Sequence, residues 1–79
     1  MEELYILFRR GGSYEDSWSS EQAIVGKANA DKAFDQAVAT ADANDTDMIT
    51  LESAYIAEDG VIRATDGFLR EWYQWERGD

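Results

Sequence analysis

The chain of 79 residues has no cysteine and no histidine. These two absences exclude disulfide bonds, thiol nucleophiles, the usual zinc ligand sets and any histidine-based triad or proton relay. Proline is absent as well, and the sequence contains no internal repeat and no low-complexity segment. Because a small domain without disulfide bonds fits the cytoplasm better than the cell exterior, we expect a cytoplasmic protein.

Long hydrophobic runs are also missing. The acidic start, Met1-Glu2-Glu3, leads into only five apolar residues, Leu4 to Phe8. A signal peptide opens with basic residues and has a longer apolar stretch, and a membrane span needs about 20 such residues. We therefore expect a soluble protein that consists of one α+β domain over residues 1–79, since this length leaves no room for a second core.

Basic residues are scarce, because 7 lysines and arginines stand against 17 acidic residues and the net charge is −10. Phosphate backbones and anionic membranes repel such a chain, which argues against direct binding of nucleic acid or lipid. Its expected partners are basic protein surfaces. The hydrophobic content of 44% and the aromatic content of 13% are too high for a disordered acidic tail.

The segment from Asn29 to Asn44 has the periodicity of an α-helix, which we place at about residues 30–43. Its apolar residues recur at steps of three and four along one face: Ala30, Ala33, Phe34, Ala37, Val38 and Ala41. Most of these side chains are small, which suits close packing on a β-sheet. Asn29 is a good N-cap, and Asn44 can adopt the left-handed conformation that ends a helix. Residues 45–47 form a short linker.

Four other segments have the composition of β-strands. Residues 3–9 are apolar on both sides and are placed at the centre of the sheet, whereas residues 14–22 are predicted to be a polar loop. The remaining strands are predicted at residues 23–28, 48–57 and 61–64. Asp59-Gly60 predicts a type I′ hairpin turn, which needs positive φ at both central residues. The expected fold is α+β, an antiparallel sheet of about four strands with the main helix packed on one face.

The tail from Phe68 to Arg77 fits both a helix and a strand. A helical stripe is formed by Phe68, Leu69, Trp72 and Tyr73, while four aromatic residues within eight also suit a sheet. We favour a short C-terminal helix with Thr65 or Asp66 as its cap. In such a helix Asp66 would pair with Arg70 four residues later.

The acidic residues give no pattern for catalysis or metal binding. The run after the helix begins at Asp42 and fails the Ca²⁺-loop pattern, because its sixth position is Asp47 instead of glycine and its twelfth is Ser53. The adjacent carboxylates Glu15-Asp16 and Glu58-Asp59 are expected to be solvated turn residues. We therefore predict no enzyme activity, no metal and no cofactor.

The same acidic residues are candidates for binding a partner. Asp31 and Asp35 are about 6 Å apart along a helix, a spacing of the same order as the roughly 3.4 Å advance of successive phosphates on one DNA strand. The further candidates are Asp42, Asp45, Asp47, Glu15 and Asp16. Together they could imitate a row of phosphates, although a solvated face that keeps a small protein soluble is the alternative. Trp75, with Trp18 as second choice, is the predicted interface anchor because tryptophan is enriched among binding hot spots.

Two resemblances add to this interpretation. The order of Leu4 to Phe8, Tyr14-Glu15-Asp16, Trp18, Ile24-Val25-Gly26 and Lys32-Ala33 resembles an uncharacterised family of small phage and bacterial β-β-α-β domains. That resemblance covers about the first half of the chain and implies no activity. In size and acidity the chain is similar to phage counter-defence proteins, the anti-CRISPR and anti-restriction inhibitors, several of which mimic DNA. They share no common motif, so no residue role is carried over.

The leading hypothesis is a non-enzymatic inhibitor that occupies a basic nucleic-acid-binding groove of a host defence complex, such as a CRISPR surveillance complex or a restriction enzyme. One alternative is a protein-interaction or accessory domain, monomeric or homodimeric, that uses an exposed aromatic patch. A small enzyme or metal-dependent domain is the other. The sequence does not name the target or the binding face.

Overall fold

The structure is a computed structural model that describes residues 3–12 and 14–74, with only the backbone described at Tyr14 and Asp66. The elements follow in the order β1 (Leu4–Gly11), a 3₁₀ turn (Tyr14–Asp16), β2 (Trp18–Val25), α1 (Lys27–Ala39), β3 (Thr46–Ile56) and β4 (Ile62–Tyr73). The four strands form one antiparallel sheet in the order β2-β1-β3-β4. The predicted α+β class, with an antiparallel sheet and one α-helix, is confirmed for the described residues.

Strand β1 lies inside the sheet because it is apolar on both sides. Tyr5 and Leu7 are buried on the face that α1 covers, and they belong to the hydrophobic core. Ile6 is also buried but points to the other side, which we call the open face of the sheet. The central position predicted for this strand is confirmed, since β2 and β3 pair with its two edges.

Helix α1 packs through small residues, as its periodicity predicted, but its ends differ from the prediction. Its buried residues are Ala30, Phe34 and Ala37. The helix begins at Lys27, so Asn29 is not the N-cap; its side-chain amide donates to the Val25 carbonyl oxygen at 3.0 Å instead. Gly26 is the N-cap, with a φ of 93° that glycine adopts without steric cost.

The helix also ends earlier than residues 30–43 would require. Thr40 is the C-cap, and its hydroxyl donates to the Gln36 carbonyl oxygen at 3.0 Å, which favours termination there. The chain then turns until Asp45, whose φ is 55°. The left-handed residue is therefore Asp45 instead of the predicted Asn44, and Thr46 already belongs to β3 instead of a linker.

The first half of strand β2 was not predicted, because its residues are polar. The predicted loop at residues 14–22 and strand at residues 23–28 are wrong in their boundary, since β2 already begins at Trp18 and pairs with β1 along its whole length. β2 is an edge strand with mostly exposed side chains, so it lacks the apolar alternation by which strands are recognised.

The tail forms a strand where a helix was favoured. Residues 68–73 belong to β4 and pair with β3, so the prediction of a short C-terminal helix is wrong for them; residues 75–77 lie outside the described part of the chain. In a strand, alternate side chains share a face. Arg70 and Trp72 consequently both point towards α1, where Trp72 packs against the core.

The β3–β4 hairpin at Asp59-Gly60 is confirmed, but its turn is not type I′. Gly60 N–H donates to the Ala57 carbonyl oxygen at 2.9 Å, and φ is positive at Gly60, 83°, but not at Asp59. The Asp59 carboxylate accepts a hydrogen bond from Val61 N–H at 3.0 Å. This is the arrangement of a turn closed by a left-handed glycine next to a bulge, which suits a longer hairpin loop.

The hairpin extends past the rest of the sheet. The first residue of β1, Leu4, pairs with Ala54, so residues 55–63, which we call the arm, have only each other as strand partners. β4 carries register shifts opposite Leu51 to Ala54, and Gly67 has a φ of 101°. Bulges of this kind bend a strand and increase its twist.

The bend carries the arm over the open face. Ile62 lines a cavity of about 170 Å³ together with Ile6 and Ala23. In a flat sheet β4 and β2 would lie about 14 Å apart, at about 4.8 Å for each strand step. Ile62 on β4 and Ala23 on β2 would then share no cavity. The arm therefore covers part of the open face, which explains why Ile6 is only 8% exposed without a helix above it.

Candidate partner-binding surface

The predicted partner-binding carboxylates fall into two groups in the structure. Five of them lie in or beside the two loops at one end of the sheet, which we call the acidic end: Glu15, Asp16, Asp42, Asp45 and Asp47. Asp31 and Asp35 lie on α1 beside β4. Trp75 lies outside the described residues.

The acidic end is held together at Gly11 and Gly12. Gly11 pairs with Trp18 on one side and Thr46 on the other, and Gly12 N–H donates to the Asp45 carbonyl oxygen at 3.2 Å. A Cβ atom on Gly11 would lie 2.0 Å from that same oxygen, so only glycine permits the contact. The loop before β2 and the loop before β3 are therefore neighbours, although about 30 residues separate them in sequence.

Most side chains of the acidic end are open to solvent. Glu15, Asp16, Asp42 and Asp45 are exposed, and Asp47 is half-buried at the start of β3. Two chain segments thus bring carboxylates to one end, which creates a local field that attracts cationic surfaces.

The two arginines nearest this end have contacts of their own. The Arg9 guanidinium lies 6.0 Å from the centre of the Trp18 ring, a cation–π arrangement. Arg10 Nη2 lies 3.9 Å from the sulfur of Met48. Trp18, the second choice for an interface anchor, is accordingly half-buried between Arg9 and Gly11 at the end of β1, and it does not project into solvent.

Asp31 and Asp35 have a basic partner within the molecule. Arg70 Nη1 lies 3.4 Å from Asp31 and Arg70 Nη2 lies 2.9 Å from Asp35, while Lys27 Nζ lies 3.5 Å from Asp31. The Arg70 guanidinium also lies 4.2 Å from the centre of the Phe34 ring. This group, which we call the clasp, joins α1 to β4, so the charge of these two carboxylates is largely compensated.

Sequence reasoning missed the clasp because it placed Arg70 on a helix. On a C-terminal helix its partner at the four-residue spacing would be Asp66. On strand β4 the same side chain crosses to α1 instead. The signal that could have revealed the strand is the aromatic content of this segment, because aromatic residues are enriched in strands.

A second surface that the sequence did not indicate is apolar. Several large hydrophobic side chains are exposed to 39% or more: Val25, Tyr55, Ile56, Val61, Ile62, Phe68 and Leu69. Four of the seven belong to the arm. The sequence pattern predicts strands here, but it does not show that β3 and β4 extend past their neighbours in the sheet.

The pKa of one tyrosine, Tyr5, is raised. The Tyr5 hydroxyl donates to the Glu3 carboxylate, and this hydrogen bond, with burial and the negative charges of Glu3 and Asp31, raises the pKa of Tyr5 to about 12. The hydroxyl therefore stays protonated at neutral pH.

In residues 3–12 and 14–74, no three acidic side chains converge so that they could hold a metal ion. The same part of the chain has no helix that is long and apolar enough to cross a bilayer.

Comparison of the chain with family models, with curated proteins and with solved structures gave no match.

Proposed function

We propose that this protein is a non-enzymatic, cytoplasmic inhibitor of the counter-defence type, which binds a basic nucleic-acid-binding groove of a host defence complex through its acidic end. The observation that carries the proposal is the convergence of Glu15, Asp16, Asp42, Asp45 and Asp47 from two chain segments. A CRISPR surveillance complex or a restriction enzyme has a groove of the required charge. The inhibitor occupies that groove and excludes target DNA by mass action.

Because of the clasp, the surface that is proposed to imitate phosphates does not include Asp31 and Asp35. Asp31 and Asp35 share one guanidinium, so a partner would have to displace Arg70 before it could use them. The carboxylates of the acidic end are better placed because most of them are exposed. Bringing such a charge to a groove accelerates association and makes binding steeply dependent on ionic strength.

The test is a competition assay in which the protein displaces labelled target DNA from a purified surveillance complex or restriction enzyme. Replacing Glu15→Gln and Asp45→Asn removes two charges from the acidic end while keeping side-chain size, and asparagine tolerates the left-handed backbone at position 45. We expect inhibition to weaken at least 10-fold and to become less dependent on salt, because three carboxylates of the acidic end remain.

The matched control removes two charges elsewhere. Glu21→Gln and Glu71→Gln lie on the exposed sides of β2 and β4 and change the net charge equally. The control should inhibit like the native chain. Equal loss in both double variants would show that only total charge matters, and absence of displacement by the native protein would remove the proposal.

The apolar surface favours a second candidate function, a protein-interaction domain that uses hydrophobic contacts. Within the tail, Phe68 is 50% exposed, whereas Trp72 and Tyr73 are half-buried. The exposed apolar surface therefore includes the arm and the part of β4 next to it, but not Trp72 and Tyr73. Binding through this surface should respond little to salt, because hydrophobic burial carries no charge. A salt series on any partner complex therefore separates the two candidates.

A further inference from the structure

The arm exposes large apolar side chains on both of its faces. Tyr55, Ile56, Val61 and Ile62 are 48%, 66%, 50% and 39% exposed, and all four lie within eight residues. Contiguous exposed apolar surface of this kind marks interaction sites in soluble proteins. The arm is also the part of the hairpin that lacks strand partners in the rest of the sheet.

Grooves flank these same side chains. One, of about 590 Å³, is lined by residues 55–59, and another, of about 480 Å³, is lined by residues 3–5 and 53–56. Tyr55 and Ile56 line both. Projecting apolar side chains therefore lie next to concave surface on one patch, which is the self-complementary arrangement that a two-fold symmetric interface requires.

The charge distribution favours a second copy of the chain as the occupant. Within the arm the acidic residues are Glu58 and Asp59, and Asp59 pairs with Arg63 at 2.8 Å. The acidic end lies at the other end of β3, which spans up to about 33 Å for its ten residue steps. Two copies joined at their arms would keep their acidic ends many Debye lengths apart, at roughly 8 Å per Debye length, so the repulsion between them would be screened.

The exposed area suits a weak dimer. Half-burying three aliphatic side chains and one tyrosine corresponds to about 250 Å² of apolar surface per copy. Leu4, Ala54 and Ala57 in the grooves add to this. The four side chains of both copies together supply about 500 Å² of apolar surface, which is less than the apolar part, about 65%, of a specific homodimer interface at the low end of roughly 1,200 Å². We therefore expect weak association.

We propose that the arm joins two copies of the chain, with Ile56 and Ile62 of each copy seated in the groove beside the arm of the other. The dimer is elongated and presents its two acidic ends at opposite extremes. The proposal goes beyond the proposed function and does not depend on it, because dimerisation is measured without any target.

The first experiment measures mass by light scattering and sedimentation over about 1 to 200 μM. We expect the 8.9 kDa chain to shift to twice that mass with a micromolar dissociation constant. Ile56→Glu should weaken the dimer at least 30-fold, since it places a charge in the apolar contact. Leu69→Glu is the matched control, because Leu69 is 53% exposed but lies outside the arm, and it should dimerise normally.

A second experiment locates the contact without disrupting it, and it uses the absence of cysteine. A spin label on Glu58→Cys, an exposed position in the turn of the arm, should give an intermolecular distance within about 30 Å, whereas a label on Asn44→Cys in the loop before β3 should give one beyond about 50 Å. The proposal is overturned if the native chain stays monomeric throughout, if Leu69→Glu dissociates the dimer as strongly as Ile56→Glu, or if the Asn44 labels are the closer pair.

Discussion

The two ends of β3 differ in both packing and surface chemistry. At its first residue, Thr46, the strand lies beside Gly11 in a contact too close for any side chain, and the surrounding loops carry exposed carboxylates. At its last residue, Ile56, the strand has only β4 as a neighbour, and the exposed side chains are apolar. One end is thus tightly packed and charged, and the other is loosely supported and hydrophobic.

This difference shows how a small domain separates two kinds of binding chemistry. Electrostatic attraction acts over several ångströms and needs carboxylates held in fixed positions, which the glycine contact supplies. Hydrophobic contact acts only on touching surfaces, and a two-stranded arm can supply it without a core beneath it. The two surfaces should accordingly respond to different mutations.

The largest effect should follow Gly11→Ala. The new Cβ would lie 2.0 Å from the Asp45 carbonyl oxygen and 2.9 Å from the Trp18 ring, so both loops of the acidic end must move. We expect a loss of about 3 kcal/mol or more in the free energy of unfolding, at the upper end of overpacking costs. Urea unfolding of the purified variant measures it.

Gly60→Ala is the matched change at the arm. Nothing lies within 4 Å of the added Cβ, so only the positive φ of 83° opposes it. The cost should be about 1–2 kcal/mol, the usual value for a left-handed non-glycine residue. Equal losses at the two positions would show that the acidic end is no more tightly packed than the arm.

Arg70→Met should have an intermediate effect. The change removes both ion pairs of the clasp and the contact of the guanidinium with Phe34 but keeps an apolar stem. These groups are partly exposed, so we expect a loss of about 1–2 kcal/mol that shrinks at high salt. Thermal unfolding at about 0.05 M and 1 M NaCl measures both the loss and its screening.

Arg63→Met provides the comparison at the arm. The pair between Arg63 and Asp59 is about half exposed at both side chains. Its removal should cost less than about 0.5 kcal/mol. A larger loss at Arg63 than at Arg70 would contradict the structural role assigned to the clasp.

The sequence predicted those parts of the fold that depend on local apolar periodicity. β1 was placed correctly because its residues are apolar on both sides, and α1 because its apolar residues recur every three or four positions. The turn at Asp59-Gly60 was located correctly, because Gly60 adopts the positive φ that the turn requires. Its type was not predicted, because the turn type depends on the length of the hairpin loop. These features are encoded within about ten residues of sequence.

Features that depend on strand neighbours were not predictable in the same way. β2 is polar because it is an edge strand, and β4 resembled a helix until its pairing with β3 was known. The acidic residues were identified as a set, but only the pairing of Gly11 with Thr46 brings five of them to one end. The compensation of Asp31 and Asp35 by Arg70 was not predictable in this way either, because Asp35 and Arg70 lie 35 residues apart in sequence.

The smallest effect should be seen in the alkaline titration of Tyr5. Its folded pKa of about 12 lies above the ordinary value of 10.0, because the hydrogen bond to Glu3 and the nearby negative charge favour the protonated form. This contribution to stability is complete below pH 10 and is lost as the pH rises through about 12. Difference absorbance between the native chain and Tyr5→Phe should show ionisation of Tyr5 near pH 12.

Glu3→Gln tests the cause of that shift. The amide still accepts a hydrogen bond from the hydroxyl but carries no charge, so the Tyr5 midpoint should move back towards 10. Glu21→Gln, on the exposed side of β2, should leave the midpoint in place and serves as the control. If Glu3→Gln leaves the Tyr5 ionisation unchanged, Glu3 does not cause the raised pKa, which then comes from burial and the charge of Asp31.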